Sequence, residues 1–365
     1  MAPLMPYRIS DAIASCRPSY ALIFPLSTQK SVSGRPLSSR FFSKSDEERR
    51  KKAAWKHGSA FSCMDLKGRL RGYIMDWAKR APGRIFVMHA FLVFQSDFGL
   101  CDGAVSAMKG VAYSVDPDLV ISDITHEITP YNIFEASYRL FQTIPYWPDN
   151  TVFVSVVDPG VGTSRESVVA RTSRGQYIVT PNNGTLTHAA AFVGIDQVRL
   201  IEERTNRLKN SESSYTFYGR DVYAYTGARL ASGLISFEEV GPLLKEPPLS
   251  LELFGASREG DSVKGQIDIL DVRFGSLWTS IPFEMFRDLG ISFGDYAEVR
   301  IYRGPSLVYI NRITYGRSFA DVMVGMPVLY MNSVGHMALA INQGSFARAY
   351  NIGTGAPWTI VLSRV

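Results

Sequence analysis

A glycine-containing loop with an acid at one end and a base at the other is the segment best suited to chemistry. Asp158 begins it and Arg165 ends it, directly after a β-branched run, and Gly160 and Gly162 lie between them. A third glycine and a G-K-[ST] ending are absent, so a phosphate-binding loop is not indicated. A carboxylate and a guanidinium around a glycine turn can instead hold and polarise a small polar species such as water. An ion pair that only ties the loop down is the alternative, and the spacing does not separate the two.

Further polar residues follow predicted strands. Asp97, in Ser96-Asp-Phe-Gly99, can accept the hydroxyls of a ribose or cap the helix that follows. His126 comes just after another predicted strand and fits a structural histidine better than a catalytic one. A third polar loop, Pro181-Asn-Asn-Gly-Thr185, carries amide groups. We expect the three loops that follow strands to meet at one edge of a sheet, because ligands of open α/β sheets bind at the carboxyl ends of the strands.

Several common enzyme classes have no support in the sequence. H-E-x-x-H motifs, Cys/His clusters and a G-x-S-x-G elbow are absent, so zinc peptidases and triad hydrolases are not indicated. We therefore predict no metal site. The three cysteines, Cys16, Cys63 and Cys101, are widely spaced, which excludes a disulfide framework and suits a reducing compartment such as the cytoplasm.

The elements that must position these loops alternate between strands and helices. Helices are predicted at 103–114, with Ala104, Met108 and Val111 on one face, and at 132–144, where Asn132 is the cap. This alternation predicts an α/β domain whose sheet is mostly parallel and covered by helices on both faces. The predicted strands of this part are Phe91–Phe94, Leu119–Ile124, Thr151–Val157, Tyr177–Thr180 and Val198–Ile201.

The pattern changes at Pro247-Pro248. Helix signals almost vanish and short strands separated by turns follow, which predicts a C-terminal antiparallel β-domain. Its predicted strands are Lys264–Val272, Tyr296–Tyr302, Leu307–Ile313, Val328–Met331 and Trp358–Leu362. Three regions are therefore predicted: a basic and disordered extension at 1–87, an α/β domain at 88–247 and the β-domain at 248–365.

The charge of the chain supports this division. The formal net charge of +5 over 365 residues hides an uneven distribution, since residues 1–87 hold 17 of the 39 basic and 6 of the 34 acidic residues. The extension therefore carries +11 and the remaining residues carry −6. Because the basic part has no groove-reading motif, nucleic-acid binding is not predicted.

The extension itself has the composition of a leader. Residues 1–45 contain ten serines, six basic residues and one acid, which is typical of an organellar transit peptide. Residues 46–80 continue as a basic stretch, which we interpret as a solvated arm rather than a surface for RNA or membranes. The apolar run from Phe86 to Phe94 is about half as long as a membrane span. A cytoplasmic protein is the expectation, with organellar targeting as the alternative.

Taken in order, the polar loops resemble those of the S-adenosyl-L-methionine (SAM) hydroxide adenosyltransferases, the adenosine-forming SAM hydrolases, and of their fluorinating and chlorinating relatives. The resemblance covers nearly all of 88–365. The matching segments are Ser96-Asp-Phe-Gly99 with Asp102, Asp123-Ile-Thr-His126, Val157–Arg165, Pro181–Gly184, Thr216–Asp221, Asp271–Ile281, Ser318–Asp321 and Tyr330–Ser333 with Asn342.

The resemblance implies that water or hydroxide attacks the ribose C5′ of SAM and releases adenosine and L-methionine. Asp158 and Arg165 match two members of the family's Asp–Arg–His set, and the histidine falls on Tyr218. A tyrosine phenol, with an ordinary pKa near 10, is a poor base at neutral pH, but it can orient water through a hydrogen bond. SAM is then the substrate and no cofactor is implied.

The same resemblance assigns the binding residues. Asp97 is expected to bind the ribose diol, and Tyr131 to cover the ribose. The residues expected at the methionine end are Asp102, Asp271 and Ser333. Those expected around adenine are Phe274, Phe319 and Asn342, together with Ser276, which stands in place of an asparagine of the family.

Two alternatives stay open. A halide could replace water as the nucleophile, although the halide-using relatives have tyrosine where this chain has Asp158. The protein could also be a catalytically weak SAM- or adenosine-binding protein, because Tyr218 replaces the histidine. The resemblance further implies a homotrimer whose sites lie between subunits.

Overall fold

A computed structural model describes residues 89–365. The expectations for 1–45, for 46–80 and for the whole extension 1–87 lie outside the described residues. The described strands are β1 (Leu92–Ser96), β2 (Ile121–Thr125), β3 (Val152–Val156), β4 (Ser167–Thr172), β5 (Tyr177–Pro181), β6 (Ile195–Leu200), β7 (Ser257–Glu259), β8 (Ser262–Asp271), β9 (Ser276–Pro282), β10 (Tyr296–Arg303), β11 (Ser306–Tyr315), β12 (Pro327–Met331), β13 (His336–Ile341) and β14 (Trp358–Arg364).

The helices of the described part are mostly short. The α-helices are α1 (Ala104–Val115), α2 (Ile133–Thr143), α3 (Glu203–Asn206), α4 (Tyr225–Ala231), α5 (Phe283–Arg287) and α6 (Phe346–Tyr350). Single turns of other helical types occur at Ile144–Tyr146, Ala189–Val193, Gly219–Ala224, Glu238–Val240 and Phe319–Asp321. The predicted cap of α2 is confirmed, because the Asn132 side chain accepts a hydrogen bond from the backbone N–H of Glu135.

The first sheet has six strands in the order β2-β1-β3-β5-β4-β6. The pairs β1–β2, β1–β3 and β3–β5 are parallel, whereas β4 runs antiparallel to β5 and β6. The expected mostly parallel sheet is therefore confirmed. Strand β4 was not predicted from the sequence, although it begins only two residues after Arg165 and fixes that end of the loop.

Alternate residues of the central strands are buried on opposite faces of this sheet. Leu92 and Phe94 pack with α1 and α4, whereas Val93 and Phe153 pack with the end of α2. Both faces are thus covered, as expected for an α/β sheet.

The buried face of α1 differs from the prediction. Its buried residues are Val105, Met108 and Ala112, whereas Ala104 and Val111 are only half-buried. Both stripes run through Met108 at helical spacing of three or four residues, so the pattern alone did not choose between them. Contact with the sheet selects the stripe that contains Val105.

The second sheet has eight strands in the order β14-β10-β11-β12-β13-β9-β8-β7, and an additional pairing of β14 with β8 closes it. All the described pairs in it are antiparallel except β11–β12. The predicted antiparallel β-fold is confirmed. Strands β7, β9 and β13 were not predicted, and α5 and α6 lie among the strands.

Helix α2 joins the two sheets. Tyr138 and Phe141 pack against Ile269, Trp278 and Tyr330 of the second sheet. A guanidinium of the same helix, that of Arg139, donates to the backbone carbonyl of Leu270 at 2.9 Å. The predicted domain division at 247/248 stays a prediction.

Candidate active site

A cavity of about 390 Å³ opens at the carboxyl ends of β1 and β3. Four of the residues expected at the site line it: Asp97, Tyr131, Asp158 and Tyr218. The other lining residues are Phe98, Pro130, Val156, Val161, Thr216, Phe217 and Gly219. Its volume lies in the range that small-molecule sites occupy.

Asp158 and Arg165 form a two-point ion pair beside this cavity. The Arg165 Nε donates to Asp158 Oδ1 at 2.8 Å, and Nη2 donates to Oδ2. The remaining nitrogen, Nη1, donates to Ser167 Oγ at 3.1 Å, on the first residue of β4. The side chains are only 6% and 11% exposed. Because a planar guanidinium fixes both carboxylate oxygens, the carboxylate has one orientation at the cavity wall.

Tyr218 lies between two guanidinium groups. The Cζ atoms of Arg165 and Arg207 are each 5.0 Å from the centroid of its ring, which is the geometry of a cation–π contact. Burial lowers the pKa of Arg165, but Tyr223 and the carboxylate of Asp158 outweigh it, so the pKa lies above the ordinary value. The guanidinium beside Tyr218 therefore stays charged.

The backbone next to Tyr218 approaches the ring of Phe98 closely, at Gly219. Gly219 begins the helical turn Gly219–Ala224, and a Cβ there would lie 3.1 Å from the ring of Phe98. The close approach lets Phe98 and Phe217 pack edge to face, with ring centroids 5.8 Å apart, at the wall of the cavity.

Asp97 is held by the loop that precedes α2. Its Oδ2 accepts a hydrogen bond from the backbone N–H of Tyr131 at 2.8 Å. Tyr131 has a φ of 67°, a conformation that is costly for a tyrosine, and its side chain is 72% exposed. The helix-cap alternative for Asp97 is wrong, because Asp102 Oδ1 accepts instead from the backbone N–H of Ala104, the first residue of α1.

The remaining expected residues lie on the second sheet. Asp271 ends β8, Phe274 lies in the turn and is 66% exposed, and Ser276 begins β9. Burial raises the pKa of the Asp271 carboxyl, although Arg139 acts in the opposite direction. Asp271 and Ser276 pair across the β8–β9 hairpin, and both lie close enough to Tyr330 to influence its pKa, which burial raises.

The other residues of this set surround the β11–β12 connection and the β12–β13 turn. The ring of Phe319 packs against Tyr330, with centroids 5.0 Å apart. Asn342 Nδ2 donates to the backbone carbonyl of Val322 at 2.8 Å, and Ser333 is exposed in the turn. None of these residues lines the cavity described above. Within one chain, the structure therefore forms two groups of expected residues rather than a single enclosed site.

Sequence reasoning missed the residues that support Tyr218. The Arg207 side chain donates four hydrogen bonds, to Glu203, Ser211 and Ser214, which hold it beside Tyr218. No sequence motif marks this arginine. Phe98 and Phe217 lie inside recognised segments and could have been found as apolar neighbours of the polar residues.

Among residues 89–365, no group of three or more His, Cys, Asp or Glu is arranged to hold a metal ion. No helix in that range is long and apolar enough to cross a membrane.

Comparison with known proteins agrees with the order of these segments. A family model described as the SAM hydroxide adenosyltransferase N-terminal domain matches residues 92–241, and the model of its C-terminal domain matches 265–359. The chain belongs to the SAM hydroxide adenosyltransferase family. The resemblance found in the sequence is thereby confirmed.

Named relatives fall into two groups. The (R)-S-adenosyl-L-methionine hydrolase of Thermus thermophilus is 35% identical over 72% of this chain and 96% of its own length. That of Methanocaldococcus jannaschii is 36% identical over 72% of this chain and 92% of its own. A fluorinase of Actinopolyspora mzabensis is 29% identical over 72% and 94%. The crystal structure of an uncharacterised conserved protein from Thermotoga maritima, 34% identical, matches 75% of this chain and 100% of that one with a TM-score of 0.69.

Proposed function

We propose that this protein hydrolyses SAM to adenosine and L-methionine through attack of water or hydroxide on the ribose C5′. The observation that carries the proposal is the two-point Asp158–Arg165 pair at the wall of the cavity. Its membership of the SAM hydroxide adenosyltransferase family supplies the substrate.

In this displacement at C5′, the protein mainly has to position the nucleophile. The sulfonium makes C5′ electrophilic, and the C5′–S bond breaks with both electrons going to sulfur, so methionine leaves as a neutral thioether. A C5′–O bond forms to the oxygen of water, which loses one proton. Holding that oxygen in line with the breaking bond is the main contribution of the site.

Asp158 and Arg165 are the residues that hold this water. The carboxylate accepts a hydrogen bond from the water and receives its proton as the C5′–O bond forms. Arg165 keeps both carboxylate oxygens in place, since its own Nη1 is fixed on Ser167. Tyr218, packed between Arg165 and Arg207, orients the water from the other side.

The ribose lies against Asp97 and Tyr131. One oxygen of Asp97 is already bonded to the Tyr131 backbone, which leaves the other free to accept from the ribose diol. The exposed ring of Tyr131 covers the sugar. Asp102, Asp271 and Ser333 face the methionine end, and Phe274, Ser276, Phe319 and Asn342 frame adenine.

The second group completes the site from a neighbouring copy of the chain, and the assembly is a homotrimer. Two observations support this arrangement: the two groups do not line one cavity within a chain, and the aromatic side chains of both are exposed. Tyr131, Phe274 and Phe319 are 72%, 66% and 44% exposed, so their rings are available to a covering surface. Light scattering on the purified full chain measures the assembly directly.

A halide nucleophile is the second candidate, because fluorinases are among the relatives. Asp158 argues against it, since a carboxylate at the nucleophile position repels an anion. A protein that binds SAM or adenosine with little turnover is the third candidate, and Tyr218 at the position of the family's histidine favours it.

We place the protein in the cytoplasm, on the evidence of its widely spaced cysteines. The reaction requires no cofactor, since SAM itself carries the leaving group. Nucleic acid and membranes are not needed for it.

One assay separates the three candidates. The full chain is incubated with SAM, with and without chloride or fluoride, and the products are identified by chromatography and mass spectrometry. Adenosine with methionine is the expected result, whereas a 5′-halo nucleoside supports the halide alternative. Tight binding without turnover supports the third candidate, and absence of both binding and reaction contradicts the proposal.

A further inference from the structure

A series of hydrogen bonds runs behind the turn that carries Asp97, from Lys109 and Asp123, whose side chains are 31% and 33% exposed, to the buried His126 and Ser96. Lys109 Nζ donates to Asp123 Oδ2 at 2.5 Å, and Asp123 Oδ1 lies 3.1 Å from His126 Nε2. His126 Nδ1 lies 2.7 Å from Ser96 Oγ. The backbone N–H of Phe98 in turn donates to Ser96 Oγ at 3.3 Å. This series connects Lys109 on α1 to the cavity wall through three side chains, those of Asp123, His126 and Ser96.

The directions of these bonds follow from the chemistry of each group. Asp123 accepts, so the imidazole proton is on Nε2 and Nδ1 has a free lone pair. Ser96 then donates its hydroxyl proton to Nδ1 and accepts from Phe98. Burial lowers the pKa of His126 despite the neighbouring carboxylate of Asp123, which favours this neutral imidazole.

His126 makes a second hydrogen bond to the turn through its backbone. Its carbonyl accepts from the N–H of Gly99 at 2.7 Å. Gly99 has a φ of 67° and ends the Ser96–Gly99 turn. Asp97 and Phe98, which both line the cavity, therefore lie between two points that are bonded to one residue.

Ser96, His126 and Asp123 have the residue types of a nucleophilic triad. Ser96 is fully buried at the carboxyl end of β1, and its hydroxyl already accepts one hydrogen bond and donates another. Neither Ser96 nor His126 lines the cavity. The hydroxyl has no path to a substrate, so the unit acts through the turn and not as a nucleophile.

We infer that His126 is a positioning residue that, through Ser96, fixes the turn presenting Asp97 and Phe98 to the nucleoside part of the substrate. The inference rests on the proposed function, in which Asp97 binds the ribose. It assigns to His126 an effect on substrate binding and not on the attack at C5′, because the ion pair of Asp158 belongs to a different loop.

A second buried histidine provides a matched control. His188 Nδ1 lies 2.9 Å from Ser137 Oγ, and both side chains are buried, as at the first site. His188 packs among the rings of Phe134, Tyr138 and Phe141. None of these residues lines the cavity, so its histidine–serine pair has the same chemistry without the connection to Asp97.

The test compares serine and histidine variants at the two sites in the full chain, with SAM as the probe. Ser96→Ala and His126→Leu are expected to raise KM for SAM about tenfold, with kcat within about threefold, because the turn loses its hydrogen bonds while the nucleophile is untouched. His126→Asn, whose amide oxygen can replace Nδ1 as the acceptor, is expected to bring KM back to within about threefold of wild type. Ser137→Ala and His188→Leu are expected to lower the melting temperature but leave KM unchanged.

Two results would overturn the inference: an unchanged KM in Ser96→Ala, or an equal rise of KM in Ser137→Ala. If His126→Leu does not fold, Ser96→Ala decides alone, since it removes a single oxygen. Failure of the proposed function looks different. The wild type would then neither bind nor hydrolyse SAM, and the inference would fall with it.

Discussion

The two groups of expected site residues differ in how completely one chain prepares them. At the cavity, Asp158 and Arg165 are almost fully buried and bonded at two points, and Asp97 is bonded to the backbone. On the second sheet, Phe274 and Phe319 project into solvent. The charged half is therefore built by the fold of one chain, whereas the aromatic half is left open.

This difference has a physical basis. A buried charge must be paired and hydrogen-bonded within the fold, or the free energy of unfolding falls by several kcal/mol. An exposed aromatic ring costs little and gains when a flat apolar surface covers it. We therefore expect variants of the Asp158–Arg165 pair and of Tyr218 to change turnover, and variants of the second group to change substrate affinity.

The largest effect is expected from Asp158→Asn. The amide keeps the shape but can neither accept the proton of water nor neutralise Arg165, so kcat is expected to fall by about a thousandfold. SAM affinity, measured by calorimetry, should stay within about threefold. Asp196→Asn, at an exposed carboxylate bonded to Ser173, is the control and should leave kcat unchanged. Unchanged turnover in Asp158→Asn would contradict its role.

Tyr218→Phe is the next test of the charged half. The variant retains the ring between the two guanidinium groups and loses the hydroxyl that orients water, so we expect kcat to fall about 10- to 100-fold. Tyr225→Phe is matched to it, because the Arg229 Cζ lies 5.6 Å from the centroid of the Tyr225 ring and Tyr225 does not line the cavity. If both variants lower kcat equally, the loss reflects packing and not the orientation of water.

The contact between α2 and the second sheet is sensitive to pH through Asp268 on β8, which lies close to Tyr138 of α2. Burial raises the pKa of this carboxyl to about 7. Between about pH 4 and pH 7 the folded state therefore holds a proton that the unfolded chain has released, so stability falls as pH rises through this window. We expect Asp268→Asn to raise the free energy of unfolding by about 1 to 2 kcal/mol at about pH 8 and to have little effect at about pH 4.

Urea unfolding at several pH values measures this difference. His188, which packs against Tyr138 of the same helix, acts in the opposite sense: burial lowers its pKa to about 4, so its contribution to stability is lost as pH falls from about 6.5 to 4. Comparing Asp268→Asn with wild type at each pH cancels the histidine. An equal gain at all pH values would show that the carboxyl does not titrate in this window.

The smallest effect is expected in the aromatic half. Phe319→Ala removes a ring that packs on Tyr330, and we expect KM for SAM to rise about fivefold with little change in kcat, in line with the ~1 kcal/mol of an aromatic contact. Phe293→Ala is the control, since this ring is also exposed and packs on Tyr315, outside the expected site. A fall in kcat with an unchanged KM would break the distinction between the halves.

Much of the site could be predicted because its polar residues lie in short segments after strands. Asp97, Asp158 and Arg165 were found from residue type and spacing together with the resemblance. Arg207 was not, because its effect on Tyr218 depends on a loop that folds back over eleven residues and leaves no local pattern. The prediction of the buried face of α1 was displaced by one residue on either side of Met108, because two sets of residues with helical spacing share Met108.

The sequence by itself determined the α/β and β-folds, the family and the order of the polar segments, since periodicity and turn residues are local properties of the chain. It left open whether Asp158 and Arg165 pair, whether Asp97 caps a helix and what His126 bonds to. Those outcomes depend on which strand ends meet and which side chains lose water together. Only the tertiary structure sets these distances, and it placed the charged group in one cavity and the aromatic group outside it.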